Sequence, residues 1–325
     1  DSLKMPSRNS AEINSHQLTG ATTDQAALIG LRFQARLKLS SRKRSLSALA
    51  GPYRASVRGR GMDFEEVRNY QPGDDVRAID WRVTARTGEA HTKLFREERE
   101  RPVFILTDQR KSLFFGSSVC FKSVLAAEIA ALLAWSALKQ NDRVGGLVLG
   151  DYEVSEIRPK RSKSSVLRLL HFIHEHNNAL PQRLHEPAEQ TSELSLSTAL
   201  EDARRLNKPG SAIFIISDFQ DFDERCSKQL FQLAKHNEVT AIKVFDQLES
   251  HLPPAGDYEV TDGSQRGLLN TRDRKTQRHF AERYASWNEN LQSAMAQSGV
   301  PLVSLQTGCD GLAELLKYYN HQRGF

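Results

Sequence analysis

The stretch Val103-Phe104-Ile105-Leu106-Thr107-Asp108 is a continuous apolar run that ends in a hydroxyl and a carboxylate side chain. Its length and composition predict a buried β-strand. Residues 122–139 then predict a helix, and residues 144–149 and 152–157 predict two strands that are close enough in sequence to form a hairpin. The chain therefore begins to alternate strands with helices at about residue 101.

This alternation continues to the end of the chain. Further helices are predicted near residues 164–175, 197–206, 224–236, 271–297 and 311–319, and further strands at 212–216, 239–245 and 302–305. Alternating strands and helices indicate a mostly parallel sheet that is covered by helices on both faces. We therefore predict a Rossmann-like α/β domain over residues 101–325, with residues 103–106 as a central strand.

Ligands of such sheets bind at the carboxyl ends of the strands. In this chain those ends carry Thr107-Asp108 and Ser217-Asp218. The same edge of the predicted sheet is therefore the first place to look for a functional site.

The chain before this domain has a different composition. Residues 1–50 predict a polar, flexible arm that is followed from Asp24 to about residue 39 by a basic helix, and residues 51–100 predict a smaller lead-in segment. No acidic residue lies between Asp24 and Asp63. The basic residues of this interval are Arg32, Arg36, Lys38, Arg42, Lys43, Arg44, Arg54, Arg58 and Arg60. Such a block attracts phosphate-rich or acidic partners, although it is also typical of a solvated basic surface.

The bulk composition indicates a soluble globular protein, with 39% hydrophobic and 26% charged residues among 325. We expect no signal peptide, and no transmembrane segment either, because the longest apolar stretch, residues 124–138, is short and contains Glu128. Cys120, Cys226 and Cys309 are far apart and odd in number, which favours a reducing compartment. We therefore expect a cytoplasmic protein.

The most distinctive segment is residues 59–86, GRGMDFEEVRNYQPGDDVRAIDWRVTAR. It strongly resembles the signature of the bacterial family known as domain of unknown function fifty-eight. The likeness continues through residues 95–99, 217–219 and 252–256, and through Gly116, Lys122, Asp246 and Glu249, so that it covers nearly everything after residue 50.

The resemblance implies a von Willebrand factor type A-like fold. Members of the family are typically encoded beside MoxR-type AAA+ ATPases, which are thought to act as chaperones for the assembly of complexes. The resemblance therefore implies a binding or assembly role, with a MoxR-type AAA+ ATPase or its client protein as the partner.

The residues of the motif allow two interpretations of their own. Pro72 and Gly73 predict a turn, and the alternation of Ile79, Trp81 and Val83 predicts a half-buried strand in which Trp81 is a core anchor. The dense opposite charges suggest either a salt-bridge network that stabilises the fold or a surface that binds a partner. The motif positions that we assign to these roles are Arg68, Tyr70, Gly73, Asp74, Asp75, Arg77, Asp80, Trp81 and Arg86.

The resemblance to type A domains also implies a metal position. Such domains often bind a divalent cation through Asp-x-Ser-x-Ser, a threonine from a second loop and an aspartate from a third. Here the first element is Asp108-Gln109-Arg110-Lys111-Ser112, in which Arg110 replaces the middle serine. Leu194 stands where threonine is expected, with Ser192 and Ser195 nearby, while Asp218 matches the third element.

The positions Asp108, Arg110, Ser112 and Asp218 thus form a degenerate metal site. We predict that they bind no divalent metal, since a permanent positive charge occupies the place of a ligand. We also predict that Arg110, or its neighbour Lys111, neutralises Asp108 or Asp218 instead. No other cofactor is expected.

Sequence motifs of common enzymes are missing, since the chain has no G-x-S-x-G, Walker or kinase-type pattern. We therefore predict a non-enzymatic binding or assembly factor that acts with a MoxR-type AAA+ ATPase on a client complex. The alternative is a protein whose basic residues 32–60 bind nucleic acid or an anionic membrane surface. A hydrolase with an unrecognised site is the third hypothesis.

Overall fold

The computed structural model of the protein describes residues 17–39, 62–72, 74, 76–97, 102–183, 194–261 and 266–321. The chain divides into two compact units. The main unit contains residues 1–39 and 102–325, and the small unit contains residues 40–101. Our predicted division after residue 50 falls outside the described residues and stays a prediction.

The described elements are as follows, in chain order. The strands are β1 (Met62–Asn69), β2 (His91–Glu97), β3 (Pro102–Asp108), β4 (Arg143–Leu149), β5 (Val154–Lys160), β6 (Ala212–Ser217), β7 (Glu238–Phe245), β8 (Asp257–Thr261), β9 (Arg266–Asn270) and β10 (Leu302–Gln306). The helices are α1 (Gln25–Gly30), α2 (Trp81–Thr87), α3 (Lys122–Lys139), α4 (Lys163–Arg183), α5 (Leu196–Leu206), α6 (Glu224–His236), α7 (Gln247–Ser250), α8 (Arg274–Gln297) and α9 (Gly311–His321).

A six-stranded sheet forms the centre of the main unit, with the strand order β10-β7-β6-β3-β4-β5. Every neighbouring pair is parallel except β4 and β5, which form the predicted hairpin. Numbered along the chain, this is the doubly wound order 6-5-4-1-2-3 of Rossmann-like sheets. The predicted Rossmann-like, von Willebrand factor type A-like α/β fold is confirmed, and β3 lies inside the sheet between β4 and β6.

Alternate side chains of β3 enter two different hydrophobic cores. Val103 and Ile105 pack on the face that is covered by α3 and α4, whereas Phe104 and Leu106 pack on the face that is covered by α5, α6 and α8. This division follows from the strand geometry, since successive side chains point to opposite faces. Burial on both faces explains why the strand is apolar without a polar alternation.

The N-terminal segment, residues 17–39, is part of the main unit and differs from our prediction. Its helix ends at Gly30 and a 3-10 turn at Leu31–Phe33, so the predicted continuation to about residue 39 is wrong. The last residues alternate instead, with Ala35, Leu37 and Leu39 buried in the core. The reason is tertiary: the backbone N–H of Leu37 donates to the Ser136 hydroxyl of α3 and that of Leu39 donates to the side chain of Gln140, the residue after α3, rather than to a helical turn.

The small unit contains the β1–β2 antiparallel hairpin and α2 between these strands. The predicted half-buried strand through Ile79, Trp81 and Val83 is wrong, because Trp81 begins a helix. The carboxylate of Asp80 accepts from the N–H groups of Arg82 and Val83, and Gly88, with φ of 80°, ends the helix in the left-handed conformation. Trp81 is 70% exposed and is therefore no core anchor.

Two further elements complete the description. The hairpin of β8 and β9 was not predicted from the sequence. Among the described residues, no helix has both the length and the apolar character that a membrane crossing requires.

Candidate functional site

Three buried aspartates lie at the carboxyl edge of the central sheet. Asp108 is the last residue of β3, Asp218 follows β6 and Asp246 follows β7. All three are at most 2% exposed. This edge is where the strand order of a doubly wound sheet places binding sites, and buried carboxylates there require partners.

Arg110 is the partner of Asp108. Its Nη2 lies 2.7 Å from Asp108 Oδ2 and its Nε lies 3.0 Å from Asp108 Oδ1. The other side of the guanidinium binds Asp221, at 2.6 Å from Nη1 and 2.9 Å from Nη2, and Nη1 also donates to the carbonyl of Leu194 at 3.2 Å. A guanidinium has five N–H donors, and these five hydrogen bonds use all of them.

This ion pair is closed off from solvent on the Asp108 side. Burial raises the pKa of Asp108, and the Arg110 charge opposes that shift. Burial by itself lowers the pKa of Arg110, but the carboxylates of Asp108 and Asp221 outweigh it and raise that pKa. Ser217 also donates its hydroxyl to Asp108 Oδ2 at 2.7 Å. The contact between Arg110 and Asp108 is one of the pairings that the sequence analysis allowed, in which Arg110 or Lys111 neutralises Asp108 or Asp218.

Asp218 has a different cation, which the sequence analysis missed. Lys122, at the start of α3, is 0% exposed, and its Nζ lies 2.9 Å from Asp218 Oδ2 and 2.6 Å from Glu249 Oε1. Although burial opposes it, these two carboxylates raise the pKa of Lys122. The signal was present, since Lys122 begins an otherwise apolar helix and a lysine is almost never fully buried unless it is paired.

Asp246 connects the loops that follow three strands. Its carboxylate accepts from the N–H of Ser117 at 2.8 Å, from the Ser117 hydroxyl at 2.7 Å and from the hydroxyl of Thr307 after β10. Its own N–H donates to Glu249 Oε2, which forms a capping box at α7. Gly116 is required beside Ser117, because a Cβ there would lie 2.6 Å from the carbonyl oxygen of Cys120.

The remaining predicted metal positions do not join these contacts. Ser112 lies in the 3-10 turn Lys111–Leu113, and the backbone N–H of Lys111 donates to the Asp151 carboxylate at 2.9 Å. Leu194 contributes its carbonyl to Arg110. Ser195 caps α5, whereas Ser192 lies outside the described residues.

The donor set does not fit the divalent metal that the fold family implies. Asp108 is held by a guanidinium and Asp218 by an ammonium group, so a dication would face two fixed positive charges. Within the described ranges, no group of three or more His, Cys, Asp or Glu side chains could hold a metal. The absence of metal binding in solution stays a prediction.

A cavity of about 360 Å³ opens beside Asp218 and Glu249. Its other walls are Lys243 of β7 and aromatic side chains that include Tyr284 and Trp287 of α8. Burial lowers the pKa of Lys243 to about 8. The sequence analysis did not single out Lys243. The sequence shows a lysine within the apolar strand β7, but it does not show that aromatic side chains of α8 surround this lysine.

The motif residues of the small unit form local contacts of their own. Arg68 binds the Asp74 carboxylate at 2.8 Å, which also accepts from the N–H of Gln71 and fixes the predicted turn. Backbone and Arg68 hydrogen bonds lower the pKa of Asp74. Asp80 binds Lys93 at 3.3 Å.

The other motif positions lie on the surface or outside the description. Arg77, Trp81 and Arg86 are exposed, and the Tyr70 hydroxyl donates to the Asp74 carbonyl at 3.3 Å. Gly73 and Asp75 lie outside the described residues. A fold-stabilising role for Arg68, Asp74 and Asp80 and a binding role for the exposed residues are compatible with each other.

Comparison with known sequences identifies a family but no activity. The family described as "Protein of unknown function DUF58" matches residues 66–290. An uncharacterized protein of Mycobacterium tuberculosis, Rv1480, is 29% identical over 289 residues, which is 88% of each chain. The uncharacterized protein YeaD of Bacillus subtilis is 36% identical over 84 residues, which cover 26% of this chain and 19% of YeaD.

Comparison with solved structures gives distant similarities. The conserved hypothetical protein BatB from Bacteroides thetaiotaomicron aligns with a TM-score of 0.40 and 13% identity, over 69% of this chain and 100% of BatB. A von Willebrand factor type A protein from Catenulispora acidiphila aligns with a TM-score of 0.34 and 10% identity, over 71% of this chain and 43% of that one. The fold assignment rests on the strand order of the sheet and not on these scores.

Proposed function

Because this chain belongs to the DUF58 family, which is described only as proteins of unknown function, we propose its role from the geometry of the sheet edge. The proposed role is a non-enzymatic binding and assembly factor that acts with a MoxR-type AAA+ ATPase on a client protein complex. The family resemblance of residues 59–86 supports the ATPase as the partner. The contacts of the buried carboxylates at the sheet edge support a non-enzymatic role.

The observation that carries the proposal is the internal pairing of the carboxylates at the sheet edge. Arg110 uses five N–H donors within the protein, and the buried Lys122 bridges the buried carboxylate of Asp218 and the partly buried carboxylate of Glu249. A general acid or base must reach a proton of the substrate, and Asp108 and Asp218 are committed to internal cations instead. Their contacts tie the loops of the edge into a fixed surface, which favours recognition of a partner over chemistry.

The small unit supplies an exposed aromatic group among positive charges. Trp81 and the neighbouring Arg82 are exposed, and Arg77 and Arg86 are exposed as well. Tryptophan and arginine are enriched among the residues that contribute most to binding at protein interfaces. We therefore place one contact with the partner at Trp81.

Affinity purification of the tagged chain from its native cells tests this proposal. We expect retrieval of a MoxR-type AAA+ ATPase, and we expect Trp81→Ala to weaken association of the purified proteins by about tenfold or more. Phe231→Ala is the matched control, because Phe231 is an exposed aromatic residue, at 52%, on α6 of the main unit. No ATPase among the retrieved proteins, together with no association of purified partners at low salt, would remove the proposal.

One observation supports the alternative function, in which basic residues 32–60 bind nucleic acid or an anionic membrane surface. Arg36 and Lys38 point to solvent from the extended end of the N-terminal segment, between the buried residues Ala35, Leu37 and Leu39. Two cations on one exposed side could contact phosphates of a nucleic acid or of an anionic membrane. Arg42, Lys43, Arg44, Arg54, Arg58 and Arg60 of the same basic block lie outside the described residues.

A further inference from the structure

Lys243 is a buried cation without a carboxylate partner. It is 2% exposed, and its Nζ donates to Asn288 Oδ1 at 2.8 Å and to the Tyr284 hydroxyl at 3.2 Å, both of which are neutral. Among the described residues, no carboxylate forms an ion pair with it. By contrast, Lys122 has two. A buried charge ordinarily requires an opposite one, so Lys243 is the exception at this edge.

Aromatic rings replace part of the hydration that Lys243 has lost. Its Nζ lies 4.4 Å from the ring centroid of Trp287, 5.1 Å from that of Tyr284 and 5.4 Å from that of Phe245. Such contacts stabilise an ammonium group because the face of each ring is electrically negative. They do not fully compensate, since burial still lowers the pKa of Lys243 to about 8. A carboxylate that reached this ammonium group would supply the missing partner.

The cavity beside Lys243 gives a ligand access to this position. Asp218 and Glu249 line one side, but both are held by Lys122, and Phe280 and Arg283 of α8 line the other. The charges of Asp218 and Glu249 balance those of Lys122 and Lys243, so the inner end of the cavity has no net charge. Arg283 adds one positive charge at the exposed rim. The cavity therefore favours a group with a single negative charge, and the nearby carboxylates disfavour a dianion.

A basic ridge leads to the cavity along α8. Lys275, His279 and Arg283 are spaced four residues apart, which places them on one side of the helix, and all three are exposed. A second cavity lies among these three side chains and shares Phe280 and Arg283 with the first. The positive surface is thus continuous with the aromatic cavity.

We propose that this cavity binds a carboxylate side chain from an acidic segment of a partner protein, with Lys243 as its buried counter-ion. Lys275, His279 and Arg283 bind neighbouring acidic residues of the same segment. The aliphatic part of the entering side chain packs against Trp287 and Phe280. This inference rests on the proposed protein-binding function and names the chemistry of a partner.

Binding of a fluorescein-labelled decapeptide of glutamate, measured by anisotropy at low salt, tests the proposal. We expect Lys243→Met to weaken this binding by about tenfold or more, because a desolvated charge pair is lost. Lys208→Met is the matched control, since it removes one exposed lysine from the opposite edge of the sheet, before β6. We expect it to change binding by less than about twofold. Equal binding by the Lys243 variant and the unaltered protein would overturn the inference.

Carbamylation by cyanate provides a second measurement on the unaltered protein. Cyanate reacts with unprotonated amines, so Lys243 is expected to be modified near pH 8 and to be protected by the glutamate peptide. Lys122 serves as the internal control, because its raised pKa keeps it protonated and unreactive. No modification of Lys243 would show that even a small reagent does not reach its amine, and modification without protection would show that the peptide does not enter the cavity. Either result would overturn the inference.

A phosphate-bearing partner is the competing source of negative charge. Inorganic polyphosphate is therefore tested in the same assay, and stronger Lys243-dependent binding of polyphosphate than of the glutamate peptide would contradict the choice of a carboxylate. The result of the peptide assay can be distinguished from the result of the ATPase test with Trp81→Ala. If the chain still retrieves its ATPase while Lys243→Met has no effect on the peptide, the inference fails and the proposed function stands.

Discussion

Single residues decide the electrostatics at the sheet edge. Arg110 and Lys122 each bind two carboxylates, one pair across Asp108 and Asp221 and the other across Asp218 and Glu249. Removal of one member of a buried ion pair leaves an uncompensated charge and costs about 3–5 kcal/mol. The two cations therefore hold the carboxylates in fixed positions.

The first prediction concerns metal binding at Arg110. We expect calorimetry to detect no micromolar binding of magnesium or manganese to the unaltered protein. At about 4 Å and an effective dielectric of 20, two unit charges interact by roughly 4 kcal/mol, and a dication beside the guanidinium doubles this repulsion. Micromolar affinity of the unaltered protein would contradict the prediction, because Arg110 would then have to leave Asp108.

The variant Arg110→Ser provides the comparison. It restores the Asp-x-Ser-x-Ser pattern and removes the positive charge, so any heat of metal binding is expected in this variant alone. Urea denaturation of the same variant is expected to show a loss of about 3–5 kcal/mol without metal, because Asp108 stays buried without its cation.

Among the helices, an aspartate N-cap led to a correct prediction of a helix start at Asp24 but was overlooked at Asp80. Asp24 and Asp80 both cap helices through their carboxylates. The predicted helix after Asp24 ended early because residues 35–39 pack on α3, whereas the helix after Asp80 was mistaken for a strand. Over only five residues, the alternation of Ile79, Trp81 and Val83 was a weaker indicator than the Asp80 and Gly88 caps.

The basic block of residues 32–60 carries the second prediction. We expect weak binding to double-stranded DNA, measured by anisotropy, that falls steeply between about 50 and 200 mM salt because bound counterions are released. The double variant Arg36→Gln and Lys38→Gln should reduce the slope of log K against log salt by about 2, at roughly 0.9 for each phosphate contact.

Matched changes elsewhere separate this effect from net charge. Lys208→Gln and Lys235→Gln remove two exposed lysines outside the N-terminal segment, and we expect them to leave the slope unchanged. Binding that does not depend on salt, or no binding at all, would favour a merely solvated basic surface.

For the whole molecule, the N-terminal segment contributes to a core that is built far along the chain. Leu28 is fully buried, and its carbonyl accepts from Nε1 of Trp135 at 3.2 Å. The N–H of Thr23 donates to Asn177 at 2.8 Å, so the segment also contacts α4. Residues 17–39 thus belong to the main unit although the small unit separates them from β3 in sequence.

The third prediction follows from this packing. Leu28→Ala is expected to lower the free energy of unfolding in urea by about 2–5 kcal/mol, because it leaves a cavity among α3 and α4. Phe33→Ala in the same segment is the control, since Phe33 is 77% exposed and its loss should change stability by less than about 0.5 kcal/mol. Similar losses in both variants would show that Leu28 has no special place in the core.

Local patterns in the chain were sufficient to predict the central sheet and part of its carboxyl edge. The apolar run of β3, its place inside the sheet and the β4–β5 hairpin were predictable, because strand and helix periodicities are local properties of the chain. The sequence also predicted that Arg110 or Lys111 neutralises Asp108 or Asp218, because buried carboxylates need a cation, and the structure pairs Arg110 with Asp108. Caps at Asp80 and Gly88 were also visible, although the shorter alternation was preferred to them.

The remaining contacts at this edge join residues that are far apart in the chain. Lys122 lies 96 residues from Asp218 and 127 from Glu249, and Lys243 lies 41 and 45 residues from Tyr284 and Asn288. Contacts over such distances depend on strand order and on which helix covers which face, and neither is encoded in a local period. The sequence could therefore reveal that buried lysines needed partners, while the fold alone determined that one has carboxylates and the other has aromatic rings.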